Sequence, residues 1–582
     1  RAPRSQCGGQ GFDPPLVHPE AKDPSLSRRV FPFLSPRRAA ILPAATSREM
    51  AGPRKVPPMA FRKCLSVLPL FMALGCAAGA PAVVGGEPKT TSTKPPTARP
   101  PIVVALVVDQ LAQWVYDARV SDGTLAADSR GFGRLPHHVR ARYTYAATDT
   151  APGHATLFTG ALPAVHGIFA NEWPNSSAEH AGLSSILFDG SARPITTEGI
   201  GTGTSSSAAR FLVPTVADRL HAVRPAAPIV ALSLKDRATI AAAGRTPTLA
   251  LWWDPQRARW VSSSALTERL PAWVGEVASP AKIDALLTQS WVELVPGSDV
   301  DAAAGEGDLG GYGTVFPHRC AAAKVPGGAF RASPFADEML VDLAIGAVDH
   351  APYATEGGLL AISFSTNDYL GHLFGPESRE ARDGLRRLDR QLARLFDALD
   401  GRFGAGGYEV VLSADHGVEP LPERRGTKMQ NARIDPRVLG DQLAATVADP
   451  WILPRKPLVT AADRSRFEAS FLAARAAFPI AHIYAPEELA HCTESSTVPR
   501  SVCDSAAKAP IAAGAYYLLP MPGAFVDTLY VPGFGTSHGT DTANNQEVPL
   551  LTTLAVEGSA GNSPSPTIYA TLLARALRLP PL

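Results

Sequence analysis

The sequence predicts an α/β protein with a mostly parallel central sheet sandwiched by helices, carrying inserted subdomains. Three observations predict it. Four short apolar runs, Ile102–Val108, Ile229–Leu234, Leu359–Phe364 and Glu409–Leu412, read as strands covered on both faces. Helical patterns separate them, as in sheets built by alternation. Each run also ends in polar or charged residues: Asp109; Lys235-Asp236-Arg237; Ser365-Thr366-Asn367-Asp368 and then His372; Asp415-His416.

Residues 1–58 are rich in Pro and Arg without sustained periodicity, and are expected to be an upstream or disordered leader. Residues 59–76 read as a secretory signal: Met59, then Arg62 and Lys63, then the apolar run Leu65 to Gly75, closing on Cys76. Ala73-Leu74-Gly75-Cys76 resembles a lipoprotein cleavage box, so Cys76 is a candidate lipid anchor, with ordinary cleavage near Ala78 as the alternative. The expected location is outside the cytoplasm, periplasmic or anchored by an N-terminal lipid. Residues 77–100 lack large apolar side chains and read as a linker. Residues 101–582 are then the catalytic domain.

With 45% hydrophobic and 19% charged residues, 582 residues can bury a large core. The net charge of +1 is uneven: residues 1–63 hold twelve Lys/Arg against four Asp/Glu, so the remainder carries about −7. An acidic body argues against a nucleic-acid-binding module, which needs a basic face. After Gly375, Leu385, Leu388, Leu392, Leu395, Phe396 and Leu399 recur at helical spacing and form a core stripe. The stretch LALWWDPQRARWVSS reads as a β-hairpin whose turn starts at Asp254-Pro255. It falls in 241–335, which with 425–530 breaks the alternation; both stretches are expected to be insertions. Cys492 and Cys503 lie close together in a polar stretch, and a disulfide between them suits an oxidising compartment. No CxxC pair points to a thiolate zinc site.

In open α/β sheets, functional residues gather beyond the carboxyl ends of strands. A single Asp there is an ordinary helix cap, but Asp and His at several such ends are ligands suited to zinc. Thr150 precedes Ala151-Pro152-Gly153 and an apolar run, so it sits near a helix N-terminus, where backbone N–H groups favour an anion. On local sequence alone it reads first as a plain N-cap. His137-His138 lies on an Arg-flanked segment expected at the surface. His154 and His166 read as packing residues or as supports for ligands. Gly305-Glu306-Gly307-Asp308-Leu309-Gly310 spells GxGxxG, but no strand precedes it and no helix follows, so a dinucleotide site is rejected.

The pieces VVALVVDQ, TDTAPGHATLFTG, VHGIFANEW, SLKDR, STNDYLGH, SADHG and GTSHG, in this order, resemble the alkaline phosphatase superfamily, in its threonine-nucleophile branch of phosphate-irrepressible alkaline phosphatases and nucleotide pyrophosphatase/phosphodiesterases. The resemblance implies two Zn2+ ions, one on Asp368, His372 and His538, the other on Asp415, His416, Asp109 and the Thr150 hydroxyl. It implies Thr150 as nucleophile, Asn171 as hydrogen-bond donor to a phosphoryl oxygen, and Lys235 with Arg237 as the pair found in monoesterase members. Because residues i and i+2 of an extended segment share a side, Lys235 and Arg237 are expected to reach one phosphoryl group together.

The expected function is zinc-dependent hydrolysis of phosphate monoesters through a covalent phosphothreonine. Two metal ions can stabilise the attacking and leaving oxygens of an in-line displacement. The expected partners are small-molecule phosphate esters. The alternatives are a phosphodiesterase or nucleotide pyrophosphatase on the same core, and a non-catalytic surface lipoprotein that binds phosphorylated ligands.

Overall fold

The apolar run at 102–108 is a strand, Ile102–Val108, with every residue buried, because parallel neighbours flank it and helices cover both faces. The computed structural model describes residues 100–175, 182–297, 301–425, 432–492, 497–528, 531–556 and 563–581. The expected leader, the signal segment with Cys76, and all of the linker but Pro100 lie outside the described residues.

Five strands run parallel in the order Glu409–Ser413, Ile102–Val108, Gly358–Phe364, Ile229–Ser233 and Leu249–Asp254. Antiparallel strands extend both edges to ten: Glu547–Thr552 and His137–Arg142 beyond one, and Arg259–Ser263, Pro194–Thr196 and Gly199–Ile200 beyond the other. His137 and His138 stand exposed on the edge strand.

The hairpin forms at Asp254, whose Oδ1 accepts from the Gln256 and Arg257 amides at 2.9 and 3.0 Å. It does not open a separate insert. Its first strand lies parallel to Ile229–Ser233, so the first part of the 241–335 stretch completes the main sheet. The alternation breaks there because the sheet turns antiparallel.

Arg379–Phe403 is a 25-residue helix started by the Ser378 hydroxyl, which accepts from the Ala381 amide at 3.1 Å. It buries the whole Leu385–Leu399 stripe. Residues 432–528 build a second, four-stranded sheet in the order Ala445–Ala448, Trp451–Pro454, Tyr516–Pro520, Ile480–Tyr484. The sheet and the helix Ala461–Ala477 enclose a core of their own that includes Leu439, Ile452, Phe467 and Leu518. Trp451 belongs instead to the main core. Cys492 and Cys503 are joined in a disulfide, with Cα atoms 5.6 Å apart. Cys320 is a buried free thiol.

Candidate active site

The parallel strands deliver their terminal residues to one place. Asp109 follows Ile102–Val108, and Asp415 and His416 follow Glu409–Ser413. Asp368 and His372 sit one turn apart on the helix Thr366–Phe374, which starts where Gly358–Phe364 ends. Thr150 opens the fully buried helix Thr150–Thr159. Gly153 lets that helix approach, because a Cβ there would overlap the Asp415 carbonyl.

Among the described residues, two groups of donor atoms come within metal-binding range: Asp368 with His372 and His538, and Asp109 with Asp368 and His416. Asp368 belongs to both. The imidazoles are oriented alike. Nδ1 lies 2.8 Å from the Thr536 carbonyl in His372, 2.9 Å from that of Gly417 in His416, and 2.9 Å from that of Thr148 in His538. A carbonyl only accepts, so each Nδ1 carries the proton and each Nε2 lone pair turns inward. Burial pushes the His416 imidazole down to about 3, against the pull of Asp415, so it is neutral at working pH. Asp109 Oδ1 is buried and receives no hydrogen bond. Convergent Nε2 lone pairs and an unsatisfied carboxylate oxygen fit a cation of zinc's preferences.

Asp415 stands slightly back from these groups. Its Oδ1 accepts from the Gln110 and His416 amides, both at 3.1 Å, while Oδ2 lies 3.4 Å from His416 Nε2. His154 supports this end: Nδ1 donates to the Thr150 carbonyl at 2.9 Å and lies 3.0 Å from Asp415 Oδ2. His166 is a core residue bonded to Thr156 and the Ile168 amide.

Lys235 lies in the middle. Its Nζ is 2.6 Å from Asp368 Oδ2, 2.8 Å from Asp109 Oδ2 and 3.1 Å from Thr150 Oγ1, to which it donates. Burial would discharge it, but Asp109 and Asp368 outweigh that and raise its pKa. Asp368 in turn is held well below the usual carboxylate range: burial opposes this, and the neighbouring His372 imidazole and Lys235 ammonium overcome it. Thr150 Oγ1 also faces His416 Nε2 at 3.4 Å.

The expected pairing of Lys235 with Arg237 is only partly met. Lys235 is extended (φ −118°, ψ 133°), but the helix Asp236–Ala243 begins at the next residue. The rotation there is about 100° per residue, not 180°, so the same-side argument fails. Arg237 Nη1 lies 3.9 Å from Asp236 Oδ1, and Asp236 is fixed by the Ser185 and Ser206 hydroxyls. Arg237 is still near enough for its charge to oppose that of Lys235.

Asn171 accepts the Ala151 amide on Oδ1 at 2.8 Å, which turns its NH2 the other way as a donor. Asn171, Arg237 and His372 are half-buried; Thr150, Asp109, Asp368 and His416 are buried. The open side of the site is therefore the side bearing these donors. One residue escaped the sequence reading. Gln110 takes φ 66°, a strained conformation costing about 1–3 kcal/mol. It points its amide at Asp415 and its side-chain NH2 at Asp368 (3.0 Å). Its only sequence signal was its place next to Asp109. The GxGxxG segment is a strap: Gly307 donates to the Leu373 carbonyl, beside His372, and Gly535 to that of Gly305.

Comparison with known proteins is consistent with this geometry. The family model for type I phosphodiesterase / nucleotide pyrophosphatase matches residues 131–455. The chain is 33% identical over 335 residues to alkaline phosphatase PafA of Elizabethkingia meningoseptica, covering 55% of this chain and 60% of that protein. It is 32% identical to alkaline phosphatase PhoV of Synechococcus elongatus, covering 58% and 62%. These two matches span less than two thirds of either relative. With alkaline phosphatase PhoK of Sphingomonas sp it shares 29% identity over 78% of this chain and 83% of that one. The crystal structure of wild-type PafA superposes with a TM-score of 0.68 at 26% identity, covering 83% of this chain and 96% of that one.

Proposed function

From the premise that the chain belongs to the type I phosphodiesterase / nucleotide pyrophosphatase family, we propose that it hydrolyses phosphate monoesters with Thr150 as nucleophile. The carrying observation is Lys235: a buried ammonium that donates to Thr150 Oγ1 and sits between two carboxylates. It stabilises developing negative charge on the nucleophile and on a phosphoryl oxygen.

Thr150 Oγ attacks phosphorus in line, the bond to the leaving alkoxide breaks, and the hydroxyl proton is lost to solvent. Water then attacks the phosphothreonine from the vacated side and releases inorganic phosphate, restoring the hydroxyl. The Asn171 NH2 and the Arg237 guanidinium are the donors on the open side for the equatorial oxygens. Asp368, His372 and His538 would hold one zinc ion, and Asp109 and His416 with the adjacent Asp415 the other, supplying Lewis-acid stabilisation of the attacking and leaving oxygens. The signal-like segment at 59–76 supports an exported enzyme.

The family name also covers diesterases, and the cationic pair separates the two readings. A monoester dianion carries one more charge than a diester, and a charge-assisted hydrogen bond contributes about 1.5–3 kcal/mol. On matched aryl phosphates, kcat/KM is expected to favour the monoester over its methyl diester. The Lys235→Ala/Arg237→Ala double variant, with its metal content checked, should lose about tenfold to a hundredfold on the monoester and much less on the diester. Equal losses on both would return the phosphodiesterase reading.

A further inference from the structure

The 432–528 sheet and its appended helices meet the main domain at the nucleophile segment. Residues 146–149, just before Thr150, belong to no strand or helix; the Thr148 and Asp149 amides donate to the Ala146 and Ala147 carbonyls, which leaves the Ala146 and Ala147 amides to find partners outside the segment. Ser505, fully buried at the end of the helix Arg500–Ser505, supplies one. Its Oγ accepts from the Ala146 amide at 2.9 Å and the Ala147 amide at 3.0 Å, and donates to the Ser501 carbonyl at 2.9 Å. One donor and two acceptor sites are all a hydroxyl has, and all are used. The Ser501 carbonyl also accepts from the Ala146 amide at 2.9 Å. Cys503, on the same helix, is tied to Cys492. From Ala147 the chain runs to Thr148, whose carbonyl fixes His538, and then to Thr150.

The second contact is on the Asn171 side. Trp451 donates its indole N–H to the Phe169 carbonyl at 3.1 Å and packs edge-on to the Phe169 ring, with centroids 5.9 Å apart. Phe169 lies two residues before Asn171. One subdomain therefore holds both the approach to the nucleophile and the approach to the phosphoryl-binding amide.

We infer that the 432–528 insertion is a positioning element for the reaction, with Ser505 setting the path into Thr150 and Trp451 the path into Asn171. Neither residue is among the donors around the site. The inference rests on Thr150 being the nucleophile, and its test separates the two claims.

The test uses the full chain, metal-loaded, on an aryl phosphate monoester, with metal content and Tm measured for each variant. Ser505→Ala is expected to lower kcat by about tenfold to a hundredfold, as sub-ångström misplacement of a reacting group does, with KM nearly unchanged and wild-type metal content. Ser505→Thr, which keeps the hydroxyl oxygen, should recover most of the loss. Trp451→Phe keeps an aromatic ring while removing the indole donor and part of the ring volume; it should lower kcat/KM at wild-type metal content, and carries the test if Ser505→Ala does not fold. Wild-type kcat/KM in the folded variants, with only Tm reduced, would overturn the inference. Thr150→Ala assayed alongside distinguishes the cases: if it is inactive while Ser505→Ala and Trp451→Phe are fully active, positioning alone falls; if it is active, the nucleophile reading falls.

Discussion

Thr150→Ala is expected to cut phosphate-monoester turnover by several orders of magnitude. The side chain is nearly free of solvent, opens a helix, and receives a hydrogen bond from Lys235. Alanine keeps the helix, because Thr150 is its first residue and Asp149 the N-cap. It removes the attacking oxygen and one methyl group. Each decade of rate is about 1.4 kcal/mol of barrier, so even a thousandfold fall corresponds to about 4 kcal/mol of lost transition-state stabilisation. Metal content should be unchanged, since three histidines and three aspartates remain. Thr150→Ser should keep substantial activity, because either alkoxide can attack. Near-wild-type turnover in Thr150→Ala would move the nucleophile to Thr148 or to water.

Removing metal should abolish turnover with similar completeness, and should also lower Tm. Asp109, Asp368 and Asp415 are buried together, and Lys235 bridges only Asp109 and Asp368. An ion bound only by the native arrangement stabilises it by mass action. Elemental analysis of active protein should find about two zinc ions per chain, as the two donor groups imply. Chelation should remove zinc, activity and thermal stability together, and zinc should restore all three. Active protein with one transition-metal ion or none would remove the two-metal account.

The parts of this site that were legible in the sequence are those set by local pattern. A strand buried on both faces leaves an apolar run, and its carboxyl end leaves a polar stop, so Asp109, Lys235, Asp415 and His416 could be placed at strand ends. The antiparallel strands His137–Arg142 and Glu547–Thr552 went unread in the sequence. His137–Arg142 is short and polar, and it pairs across more than 400 residues of sequence. Asn171 and His538 have no local signal of their own, and their roles came from the family resemblance. The Lys235 bridge was not legible because it depends on carboxylates from two other strand ends. The same-side argument for Lys235 and Arg237 failed for a local reason: a helix starts at Asp236, one residue earlier than an extended reading allows. That the first part of the 241–335 stretch joins the main sheet was not legible, because a hairpin that joins a sheet edge and one that leaves it have the same sequence pattern.

The central claim is that phosphate passes through Thr150. Metal-loaded protein turning over an aryl phosphate monoester, quenched in acid within a single turnover and digested, should yield the peptide containing Thr150 with one phosphoryl group on that residue. The label should disappear as inorganic phosphate is released. An active enzyme that gives no phosphorylated Thr150 at any quench time, or that carries the phosphoryl group on another residue, would contradict the account.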